Sequence, residues 1–213
     1  GLLVSTVAEL EAKISNVPDI INGKIYTLNE VVDAGKDFTG TAKNDLFLAT
    51  NAETQFSIAD TLDGGKGIDT LRLIDSGTPA TNYTLAIPVA ASIKNIEIID
   101  IIGNAGVTAD TSDTTAFAGV THLYTTSKTV AAGVNTKVTA AATTNINVNS
   151  TNGATGNETV VVDGGKDVTV VSKNNVVDTI TVGGTTAAAG KVSVTSTGGT
   201  TNGDTAGAIN VTG

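Results

Sequence analysis

The segment that most constrains what this chain can fold into is Ala59-Asp60-Thr61-Leu62-Asp63-Gly64-Gly65-Lys66-Gly67-Ile68-Asp69-Thr70-Leu71. Its second half matches G-G-x-G-x-D-x-U-x, a nonapeptide whose repetition builds calcium-binding parallel β-helices. Glycine lets the backbone turn with φ > 0. Turn carbonyls and an aspartate carboxylate then present the hard oxygen ligands that Ca²⁺ prefers. Asp60 lies nine residues before Asp69, which predicts two successive repeats with an aspartate in the same register. A weaker copy lies upstream at Gly40-Thr41-Ala42-Lys43-Asn44-Asp45-Leu46-Phe47. It lacks the glycine pair but keeps a turn, an aspartate and two apolar residues. The plainer reading is a set of solvated Gly-Asp turns, common in all-β chains.

Composition supports thin, repetitive β layers. Only 3% of the residues are aromatic and 24 are glycine, so Val, Ile, Leu and Ala must build the core. The net charge of −9 opposes binding to nucleic acid or anionic membrane and attracts divalent cations. There is no cysteine, so a calcium staple would take the place that disulfides hold in many secreted domains. There is no methionine either, as expected of a piece cut from a longer protein.

Residues 1–16 read as a short helix with a Thr6/Glu9 capping box, ended at Pro18. From Lys24 the period shortens. Residues 24–28, 46–48 and 70–74 read as short strands, and 92–102 as one strand running from a half-exposed to a buried setting. The second half is a ladder of Thr/Val/Ile strands near 134–140, 144–149, 159–163, 168–172, 179–182, 191–196 and 208–212, punctuated by Gly and Asn. The expected fold class is all-β, a calcium-clipped parallel β-helix-like or stacked β array with a short N-terminal helix. The expected divisions are 1–22, the tail of an anchoring domain; 23–125, the calcium-binding β domain; and 126–213, a β-repeat segment that would continue in a longer protein.

Three segments in order carry a family resemblance: Asp37–Phe47, Ala59–Leu71, and Ile93-Lys94-Asn95-Ile96-Glu97-Ile98-Ile99. The combined pattern resembles calcium-dependent surface-layer proteins and related RTX-like, type I-secreted surface proteins of Gram-negative bacteria. The resemblance implies a secreted, cell-surface protein that folds on Ca²⁺ outside the cell and joins copies of itself into a lattice. It further implies contact with outer-membrane lipopolysaccharide through a domain beyond this segment. By matching positions it implies carboxylate ligands at Asp45, Asp60 and Asp69, a second carboxylate at Asp63, and turn carbonyls at Gly65 and Gly67. Only one full GGxGxD is present, which favours isolated calcium sites over a long row.

Asp100, Asp110 and Asp113 form a second candidate calcium set, weighed against a polar loop. Asp163-Gly164-Gly165-Lys166-Asp167 reads as a hairpin turn rather than a second site. The single histidine, His122, has no zinc or triad partners in any motif and reads as a surface or half-buried strand residue. The chain is therefore expected to be a non-enzymatic coat subunit. An adhesin stalk is the alternative, and a β-helical carbohydrate-active enzyme is disfavoured by the absence of tryptophan.

Overall fold

One apolar row explains the architecture. Tyr26, Phe47, Leu71, Ile99, Leu123, Ile146 and Val168 pair in that order, strand to strand, and all seven are buried. A row of this kind forms only when the chain returns to the same place after each circuit, as it does in a parallel coil. The computed structural model describes residues 21–75, 84–87, 92–104, 106–129, 135–152, 158–174, 179–198 and 208–212. The expected N-terminal helix lies outside them. Within them the chain is an all-β parallel β-solenoid of about six turns with almost no helix.

The strands, in chain order, are β1 (Ile25–Thr27), β2 (Leu46–Ala49), β3 (Thr61–Asp63), β4 (Thr70–Ile74), β5 (Thr84–Ala86), β6 (Ser92–Lys94), β7 (Ile98–Gly103), β8 (Gly106–Thr111) and β9 (Phe117–Ala118). They continue with β10 (His122–Thr129), β11 (Thr136–Ala140), β12 (Asn145–Asn152), β13 (Thr159–Gly164), β14 (Val168–Asn174), β15 (Thr179–Val182), β16 (Val192–Gly198) and β17 (Ile209–Val211). Sheet A is β1-β2-β4-β7-β10-β12-β14-β16. It runs unbroken across residue 125, because β10 pairs in register with both β7 and β12. Sheet B is β3-β6-β9, and sheet C is β17-β15-β13-β11-β8-β5. A single 3₁₀ turn (Gly35–Phe38) and one helical turn (Ala52–Gln55) interrupt the strands.

The core lies between the sheets. Ala49, Leu73 and Ile101 form a second inward row of sheet A, facing Val107, Val138, Val160 and Val162 of sheet C. Tyr26 stacks on Phe47 at 4.7 Å with the rings 9° apart. One inward row is polar: Ser127, Ser150 and Ser172 are in register and buried. Glu158, also buried, accepts from the Ser150 hydroxyl at 2.9 Å and from Thr136 at 3.3 Å.

Two expectations are corrected. Residues 92–102 are two strands, since Asn95 (φ 49°) turns the chain from sheet B into sheet A, so the alternation and the apolar run belong to different walls. The strands β8 and β10 were not anticipated: Thr and Ala at their inward positions mask the apolar period.

Candidate metal centre

The repeat that matters is the coil, not the nonapeptide. Leu46 pairs with Thr70 and Thr70 with Ile98, so Asp45, Asp69 and Glu97 occupy the same corner of three successive coils, immediately before sheet A. The Asp45 N–H donates to Asp69 Oδ1 at 2.7 Å, 24 residues away, and the Asp69 N–H donates to Glu97 Oε2 at 2.8 Å, 28 residues away. Asp45 in turn accepts the N–H of Lys24. Each acid caps the backbone of the coil before it, where the corner interrupts the sheet ladder and a buried N–H would otherwise lack a partner. Thr121 and Thr144 continue the row with hydroxyls that donate to the carbonyls of Glu97 and Val120.

The glycine turns lie over this stack. A side chain at Gly64 would place its Cβ 1.9 Å from the Asn95 carbonyl oxygen and 2.6 Å from Asp69 Oδ2. Gly65, at φ +88°, has the Thr41 carbonyl oxygen 2.5 Å from its Cβ position. Glycine is required here because the GGKGID turn packs backbone to backbone on the GTAKND turn, with the Lys66 N–H donating to the Thr41 carbonyl at 3.1 Å. Gly67, at φ +127°, sits in the same turn.

Asp60 does not share a register with Asp69. The two belong to one coil at different corners, because a coil here takes 24 residues rather than nine. Asp60 stacks instead under Asp33, whose N–H donates to Asp60 Oδ1 at 2.9 Å, while Asp60 Oδ2 accepts the Ser57 N–H at 2.7 Å. Asp63, half-buried, accepts the Gly65 N–H and the Asn95 side-chain amide with Oδ1. Asp100, on the outer face of sheet A, is fully buried and ion-paired with Arg72 Nε at 2.8 Å. Asp110 closes a turn on Ser112, and Asp113 closes one on Thr115 and Ala116. The geometry thus brings Asp45, Asp69 and the Asp63 turn together and sends Asp100, Asp110 and Asp113 to separate partners.

Asp69 is fully buried, and its Oδ2 has no hydrogen-bond partner. Burial pushes its carboxyl up to about 7; the Asp45 N–H opposes the rise, and the charges of Glu97, Asp45 and Asp63 add to it. Asp33 is also raised, by burial first, against the N–H of Asn29. Among the described residues no three His, Cys, Asp or Glu side chains are arranged to hold a metal ion. The donors that fit a hard cation are therefore Asp69 Oδ2 and main-chain oxygens such as that of Asn95, a carbonyl-rich set that suits Ca²⁺ better than Zn²⁺. Asp45 does not add a spare oxygen, since the N–H groups of Lys24 and Thr41 and the Thr41 hydroxyl occupy it.

Sequence reasoning missed Glu97 and Asp33 in these stacks. The signal was present as acids spaced 27 and 28 residues apart, Asp33 to Asp60 and Asp69 to Glu97. His122 is half-buried on β10, as expected of a strand residue. No protein-family model and no curated protein matches the chain.

Proposed function

We propose that this chain is a structural segment of a calcium-dependent bacterial surface layer, or of a related type I-secreted surface protein, in which Ca²⁺ orders the solenoid outside the cell. The observation that carries the reading is the in-register stack of Asp45, Asp69 and Glu97, with one buried carboxylate oxygen of Asp69 left unpartnered. Stacked carboxylates repel one another in a desolvated corner. A bound cation offsets that repulsion, and because it binds only the folded coil it stabilises that form by mass action. In a calcium-poor cytoplasm the chain stays less ordered and exportable. The Gly64–Gly67 turn and Asp69 would hold the ion, which supplies positive charge and ties the two turns together.

Assembly is the second half of the proposal. The strands β16 (VSVTSTG) and β17 (INV) carry no charged residue, so nothing on them opposes the approach of a neighbouring β layer. The adhesin-stalk alternative predicts a calcium-stabilised monomer instead. Electron microscopy of the purified protein in EDTA and then in calcium at ~10⁻⁴–10⁻³ M separates the two. Ordered sheets or filaments only with calcium support the coat. Monodisperse particles in both conditions reject it.

A further inference from the structure

The second half of the solenoid meets a difficulty of alignment that the first half does not. In sheet A the inward residues of β14 are Val168, Val170 and Ser172, and those of β16 are Val192, Val194 and Ser196. A slip of two residues between such strands leaves every side chain on its own face. It also still sets valine against valine. The apolar pattern therefore discriminates poorly among registers two residues apart. In the first half the inward row runs through Tyr26, Phe47 and Leu71, which differ in size and shape and fit only one alignment.

The buried serine row breaks the tie. Ser127 and Ser150 pair in register inside the core, and Glu158, 1% exposed, reaches them from the corner before β13. Glu158 Oε2 accepts from the Ser150 hydroxyl at 2.9 Å. Its Oε1 lies 3.3 Å from the Thr136 hydroxyl, which is also 3.1 Å from Ser127 Oγ. Ser127 and Thr136 belong to one coil, Ser150 and Glu158 to the next, so the Thr136–Glu158 contact spans the two. A two-residue slip of the second coil on the first replaces Thr136 at this point by Val134 or Val138, neither of which has a hydroxyl. Exchanging valine for valine costs little, whereas taking a donor from a buried carboxylate is expensive.

We propose that the Ser127–Thr136–Glu158–Ser150 network is a register lock, a conformational device that selects one alignment of successive coils where the apolar rows permit several. Buried polar groups that fix register do so at a cost in stability relative to apolar residues of the same volume. The network thus specifies alignment rather than adding net stability. None of its members belongs to the acid stack, so it acts independently of the calcium reading.

The chain has no cysteine, so engineered cysteine pairs report alignment directly. Lys128 and Thr151 are exposed in-register partners on β10 and β12, about 4.8 Å apart and within disulfide reach. Lys128 and Asn149 are offset by two residues, roughly 8 Å apart and beyond that reach. Under mild oxidation in calcium, Lys128→Cys with Thr151→Cys should cross-link, and Lys128→Cys with Asn149→Cys at least tenfold less. Adding Glu158→Leu together with Thr136→Val should raise the offset yield at least fivefold, while far-ultraviolet circular dichroism stays that of a β protein and the urea midpoint is unchanged or higher. If that variant does not fold, Thr136→Val alone, which keeps the side-chain shape and removes the hydroxyl that spans the coils, carries the test with the same expected direction. An offset yield that stays tenfold below the aligned one in the folded variants overturns the proposal, because the apolar rows then fix the register unaided. Equal yields from the two pairs in the otherwise wild-type chain overturn it as well. A merely structural role for Glu158 would instead lower the urea midpoint and leave the offset pair unlinked.

Discussion

The backbone N–H of Asp45 donates to the carboxylate of Asp69 one coil further along, at 2.7 Å. The two aspartates that most resemble calcium ligands in the sequence are thus already tied to each other as a cap and its acceptor. The work is divided between them: Asp45 is taken up by its caps, and the oxygen left for an ion is Asp69 Oδ2.

Asp45 accepts from Lys24, from the Thr41 N–H and from the Thr41 hydroxyl. Asp45→Asn puts an NH₂ where one carboxylate oxygen stood, facing at least one N–H. Hydrogen bonds to buried charged groups are each worth about 1.5–3 kcal/mol. The variant should lose about 2–3 kcal/mol, read as a lower urea midpoint in both EDTA and calcium. An unchanged midpoint would show that the cap contributes nothing.

Asp69 makes stability depend on pH in the absence of metal. Its folded carboxyl is raised from 3.8 to about 7, so the folded state holds the proton more tightly than the unfolded chain does. Its favourable contribution is complete below about pH 4 and is lost as pH rises toward 7. In EDTA the urea midpoint should therefore fall between pH 5 and pH 7.5, and Asp69→Asn should flatten that slope. A slope of the same size in the variant would assign the effect to another group.

Calcium should reverse the penalty at neutral pH. Titration calorimetry should show binding to the wild type and at least tenfold weaker binding to Asp69→Asn. Equal affinity would remove Asp69 from the ligand set. Asp113→Asn should bind as the wild type does, because Asp113 is occupied with its own turn.

Gly64 and Gly35 provide a paired test of turn stacking. Gly35→Ala meets nothing within 4 Å and carries only the strain of its φ of +72°, about 1–2 kcal/mol. Gly64→Ala drives a methyl into the Asn95 carbonyl oxygen and Asp69 Oδ2, and overpacking against backbone should cost about 3 kcal/mol. Thermal unfolding that ranks Gly35→Ala as the more damaging would refute the close approach of the two turns.

The fold class and most strands were legible in the sequence, for local reasons. Val, Ile and Thr alternation in 159–163, 168–172 and 179–182 appears as β13, β14 and β15 because side-chain direction in a strand is a property of neighbouring residues. The GGKGID turn was legible because only glycine tolerates its backbone. The corner at Asn95 was not: nothing local separates a strand that continues from one that bends into another wall.

What the sequence determined by itself was which residues face inward, which turns need glycine, and that acids gather at those turns. Only the tertiary structure decided which acids meet. Asp69 looks paired with Asp60 along the chain, yet it lies beside Asp45 and Glu97, since coil length sets the neighbours. That length is the sum of three walls and their corners, 24 residues in one circuit and 28 in the next. It depends on how the walls close around the core, a long-range packing condition that no short window of residues contains.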